Sequence, residues 1–176
     1  YSGMVYPPAF GNPTSLNYVR GIHLGINLIN ITIILITAAF SLYFCIVRKQ
    51  TNTFIFFLLS LTSLGFISYP IIHTMFVTSI FPWYFFEVTS GYLAMLLIVV
   101  LHNRLCYINK KTALISMIST GLFCLLIAFY CLNSGNLDLN IIALFSDLIF
   151  LFKILLAAYL LITSYYAVKN DYLQAN

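Results

Sequence analysis

Five long apolar runs divided by short polar breaks limit this chain more than any other feature. The hydrocarbon of a bilayer is about 30 Å thick, and a helix crosses it with about 20 apolar residues. Within lipid no water satisfies an open backbone, so only helices and closed barrels span it. The runs are too long for barrel strands and do not alternate in polarity, so helices are expected. They extend from Gly21 to Val47, Thr53 to Phe76, Pro82 to Leu101, Thr112 to Leu132 and Leu139 to Val168. The expected fold class is an all-α integral-membrane protein, a bundle of five transmembrane helices.

Composition points the same way. Only 7% of the residues are charged and 62% are hydrophobic, whereas soluble domains are about 25% charged. Such a chain lacks the polar surface to cover a water-facing fold. The lipid bilayer is therefore an expected partner. Nucleic acid is not, because the eight basic residues form short clusters between apolar runs and no stripe that could follow phosphates.

Residues 1–20 carry Pro7, Pro8 and Pro13 and lack the continuous apolar core of a signal peptide, so an extended extramembrane arm is expected. Residues 21–168 form the expected bundle, and residues 169–176 a polar tail. The division between the second and third helices falls in a stretch without formal charge from Gln50 to Phe86. Pro70, His73, Thr74, Ser79 and Pro82 supply the polar and helix-breaking residues for a turn there.

A five-helix weave puts Arg48, Lys49, Arg104, Lys110, Lys111 and Lys169 on one side and Arg20 alone on the other. The positive-inside rule then predicts the N-terminus outside and the C-terminus inside. The run Phe81 to Phe86, with Trp83 and Tyr84, falls at the outer surface as an aromatic belt. A bacterial plasma membrane and an organellar inner membrane fit this pattern equally.

Motifs for soluble chemistry are missing. There is no Gly-rich phosphate loop, H-E-x-x-H or G-x-S-x-G. Cys45, Cys106, Cys124 and Cys131 form no C-x-x-C pair and no zinc spacing with histidine, and read as small packing residues. No catalytic residue and no cofactor is assigned.

Four groups of polar residues remain as candidates. In the first helix His23, Asn27, Asn30, Thr37, Ser41 and Cys45 recur at steps of three, four or seven and fall on one arc. That face is expected to meet protein through interhelical hydrogen bonds, or to line a hydrated path. In the fourth helix Ala113, Ser116, Thr120, Cys124, Ala128 and Cys131 form a stripe of small residues, an expected packing seam. In the fifth, Asp147 and Lys153 lie inside an apolar run, where a charge costs roughly 2.5–3.5 kcal/mol on the insertion scale. They are six positions apart, so they project about 120° apart and about 9 Å apart along the axis. Asp147, Glu87 and Asn30 are expected at similar depths, with no acid level with Lys153. Finally, His23 and His73 fall near the outer surface and are a weak candidate pair for haem ligation, while His102 is expected among solvent or lipid headgroups.

Short loops and unpaired intramembrane charge predict an accessory or structural subunit of a larger membrane complex, energy-transducing assemblies among the candidates. The alternatives are a small ion, proton or solute transporter or channel using Asp147 and Lys153, and a ligand-, haem- or quinone-binding membrane protein.

Overall fold

In a computed structural model the chain is described over residues 13–75, 80–133 and 139–169. These form five helices: α1 Pro13–Arg48, α2 Thr51–Met75, α3 Ile80–Leu105, α4 Lys110–Asn133 and α5 Leu139–Lys169. Each is long and apolar enough to cross a membrane, and no strand occurs among the described residues. The chain is a multi-pass helical protein of the kind its apolar runs require.

Three boundaries differ from expectation. Residues 13–20 belong to α1 and not to an extended arm. Pro13 stands at the first helical position, where its missing N–H has no helical partner to lose and its fixed φ suits the helix. Residues 1–12 lie outside the described residues. Of the expected turn residues, Pro70, His73 and Thr74 fall inside α2 and Pro82 inside α3, while Ser79, with the rest of 76–79, lies outside the described residues. Most consequentially, His102, Asn103, Arg104 and Leu105 continue α3, so the link to α4 shrinks to residues 106–109.

Two compact units divide the chain between Ala94 and Met95. In the first, α1 and α2 are joined by Lys49 and Gln50, a link so short that the helices must turn back on one another. Lys49 takes a φ of 49° to end α1, and its N–H donates to the Cys45 carbonyl at 2.9 Å. α2 meets α3 through two glycines. A Cβ on Gly65 would lie 3.1 Å from the ring of Phe86 and 3.1 Å from Ser90, and one on Gly91 would lie 3.0 Å from the ring of Phe66. Each glycine thus accepts an aromatic ring from the opposite helix. Lipid gives no hydrophobic drive for helices to associate, so close approach at small residues supplies the attraction instead.

The second unit holds the end of α3 with α4 and α5. Tyr107 adopts a φ of 51°, and the Ile108 N–H donates back to the Asn103 carbonyl at 3.1 Å. This is a Schellman ending, with tyrosine in the left-handed position that glycine usually fills. Asn109 then caps α4: its side-chain oxygen accepts from the Lys111 N–H at 3.3 Å.

α4 and α5 pack through a heptad of rings. Phe145, Phe152 and Tyr159 follow at intervals of seven on α5, while Tyr130, Phe123 and Ser116 descend α4 at the same interval. Phe123 stacks on Phe152 with centroids 3.8 Å apart, and Tyr130 on Phe145 with centroids 4.5 Å apart. Seven-residue spacing keeps one face of a helix on its neighbour with little drift. The buried residues of α4 are Thr120, Phe123, Ile127 and Cys131, so two members of the small-residue stripe, Thr120 and Cys131, lie in the seam beside larger apolar side chains.

Candidate functional site

Where the three helices of the second unit converge, their side chains form a connected polar cluster. Asn103 of α3 is only 5% exposed. Its amide nitrogen donates to Ser116 Oγ of α4 at 2.8 Å and reaches the Ala113 carbonyl at 3.4 Å. Its amide oxygen accepts from the Tyr159 hydroxyl of α5 at 2.8 Å. The same hydroxyl lies 3.2 Å from Ser116 Oγ. Ser116 donates to the Ala113 carbonyl of its own helix at 2.9 Å, so its oxygen is left to accept from Asn103. Donors and acceptors match, as a buried polar group requires.

A second branch runs through His102. Its Nε2 lies 2.7 Å from Thr163 Oγ1, and Thr163 donates its hydrogen to the Tyr159 carbonyl at 2.7 Å. When that hydrogen goes to the carbonyl, it is Nε2 of the ring that donates to Thr163. Nδ1 lies 3.8 Å from Cys106 Sγ. Burial pushes the Cys106 thiol up from its ordinary value, and a hydrogen bond from Ser164 only partly offsets this. The thiol is therefore held toward its neutral form, in contrast to the thiolate of a reactive cysteine. The ring of His102 also meets Tyr159 edge to face at 6.4 Å.

His102 is thus half-buried and tied to α5, in contrast to the solvent or headgroup placement expected of it. Placing the end of α3 at Leu101 hid this: it put His102 and Asn103 in a loop. The available signal was the spacing of Tyr159 and Thr163, one turn apart on the face that Phe145 and Phe152 already mark.

Along the polar stripe of α1 the exposure varies from residue to residue. Ser41 is buried and His23, Asn27, Thr37 and Cys45 are half-buried, but Asn30 is exposed. Thr37 Oγ1 donates to the Ile33 carbonyl at 2.8 Å, and Ser41 Oγ to the Thr37 carbonyl at 2.7 Å. These hydroxyls satisfy themselves within one helix, which removes their cost in lipid without a neighbour. Thr32, Ser60, Thr89, Ser90 and Thr120 do the same.

On α4 the other seam residues split by depth, with Thr120 fully buried and Cys124 and Ala128 half-buried. Glu87 is half-buried and sits in the first unit, Asp147 in the second. Asp147 and Lys153 are both exposed on α5. By helical geometry Asp147 projects about 160° away from Phe145 and the face that meets α4. Among the described residues neither charge makes an ion pair. The side chain of His73, and with it the His23–His73 pairing, lies outside the described residues. Among those described, no group of three or more histidine, cysteine or acidic side chains could hold a metal.

No protein-family model matches this chain, and neither a curated protein nor a solved structure matches it.

Proposed function

We propose that this chain is an accessory or structural subunit that docks into a larger membrane complex through α5, with its N-terminus outside and its C-terminus inside. One observation carries the reading: Asp147 and Lys153 lie within the spanning segment and are exposed on the surface of the chain. The most apolar 18-residue stretch of that segment contains no buried residue. A charge turned toward lipid is costly, so such residues face protein or water. A path inside one chain would need these charges on the covered face of α5, where Phe145, Phe152 and Tyr159 stand instead. Symmetry favours a different chain over a second copy. In a parallel pair related by an axis along the membrane normal, Asp147 would stay level with Asp147 and Lys153 with Lys153. The fitting partner presents a basic side chain level with Asp147 and, about 120° round α5 and about 9 Å deeper, a carboxylate level with Lys153.

The test is native electrophoresis after extraction in mild detergent, with a photo-crosslinking side chain at Leu151. The chain is expected to co-migrate with a crosslinked membrane partner, and Lys153→Met to release it while the helical content holds. A lone monomer with no crosslink, in both the parent and Lys153→Met, defeats the proposal.

A further inference from the structure

Beside the link between α1 and α2 runs a groove of about 380 Å³, lined by Thr37, Phe40, Ser41, Phe44, Arg48 and Thr53 with Gln50 and Phe56. We infer that this groove binds an anionic phospholipid, with an acyl chain along its shaft and the phosphate at Arg48. The shaft is apolar in effect, although Thr37, Ser41 and Thr53 stand among its phenylalanines. Phe40, Phe44 and Phe56 are exposed along it. The hydroxyls of Thr37 and Ser41, which would otherwise call for water, are spent on carbonyls of α1.

Only one end is charged. Arg48 closes both α1 and the spanning segment Gly21–Arg48, and its guanidinium lies over the ring of Phe44 at 5.6 Å. That contact fixes a planar donor fork at the mouth, and such a fork suits a phosphate. Lys49 follows immediately and adds a second positive charge at the same boundary. From Thr37 to Arg48 the groove runs about 16 Å along α1, close to half the thickness of the hydrocarbon. Its depth is therefore that of one leaflet, with the polar end where a headgroup lies. Basic pockets between spanning helices are the sites that anionic headgroups take. This inference stands apart from the docking of α5, since it rests on the other unit.

To test it, the full chain is reconstituted with phosphatidylglycerol and phosphatidylcholine in equal proportion, re-extracted, and read by native mass spectrometry for retained lipid. Phosphatidylglycerol is expected to exceed phosphatidylcholine by about fivefold, the effect of one interfacial cation. Arg48→Gln should erase that preference, and Arg104→Gln, at the end of α3, should leave it intact. Thr53→Phe, which fills the groove, should lower retention of both lipids. Equal retention by the parent chain overturns the inference, as does an unchanged preference in a folded Arg48→Gln. If Arg48→Gln loses helical content, unaltered retention in Thr53→Phe overturns it instead. A dimer that Thr53→Phe dissolves would assign the groove to a second copy.

Discussion

The Tyr159 hydroxyl donates to the side-chain oxygen of Asn103 at 2.8 Å, across 56 positions of sequence. This bond joins α5 to α3, and the Asn103 amide carries the connection on to Ser116 of α4. One asparagine therefore holds three helices at a single point. In lipid, where burial of apolar surface does not drive helices together, such a point contributes to which faces meet.

Removing the hydroxyl tests that role. Tyr159→Phe keeps the ring beside His102 and leaves the Asn103 oxygen without its donor. A loss of about 1 kcal/mol is expected, as for a single buried hydrogen bond. Thermal unfolding in detergent measures it. In a double-mutant cycle Tyr159→Phe and Asn103→Ala should be strongly non-additive, because they break the same bond.

The α4–α5 seam makes a second, sharper contrast. Phe152 stacks on Phe123 with planes 13° apart, while Phe150 two positions earlier is 67% exposed. Phe152→Ala should destabilise by at least about 1 kcal/mol from the lost stack. Phe150→Ala should change the unfolding midpoint little. Equal effects would mean that the ring pair does not hold these helices.

Glycine packing predicts opposite signs at two positions. Gly25 has nothing within 4 Å of a Cβ, so Gly25→Ala gains helix propensity, up to about 1 kcal/mol. At Gly65 the same change drives a methyl to 3.1 Å from both Phe86 and Ser90, so those neighbours must give by a few tenths of an ångström. Gly65→Ala should lower the unfolding midpoint and Gly65→Leu should lower it further, and circular dichroism on heating reads both.

Cys106 gives a pH-dependent prediction. Burial raises its thiol above the ordinary value, so at a given pH less of it is thiolate, the form that reacts. In a chain whose other cysteines are replaced by serine, maleimide labelling should run slower than for a free thiol. Its rate-against-pH curve should be displaced to higher pH. Ser164→Ala removes the bond that favours the thiolate and should displace the curve further in the same direction. Labelling as fast as free cysteine would contradict the burial.

Residue order alone determined the class of the molecule. Five apolar runs and a poverty of charge leave no other way to satisfy the backbone than helices long enough to span, and local composition suffices to reveal that. Which face of each helix meets which neighbour was decided only in three dimensions. The Asn103 cluster was illegible because a polar string, His102 to Lys111, reads as a loop until α3 is seen to run on to Leu105 and the Schellman ending to follow it. On α1 a sequence does not reveal that the hydroxyls of Thr37 and Ser41 bond back to carbonyls four residues earlier. Asp147 and Lys153 show the same division. Their expense in lipid is a property of the residue, evident from the letters. That Asp147 turns away from α4 follows from the heptad of rings beside it, whose rotation about the helix axis is set by packing against a partner distant in sequence.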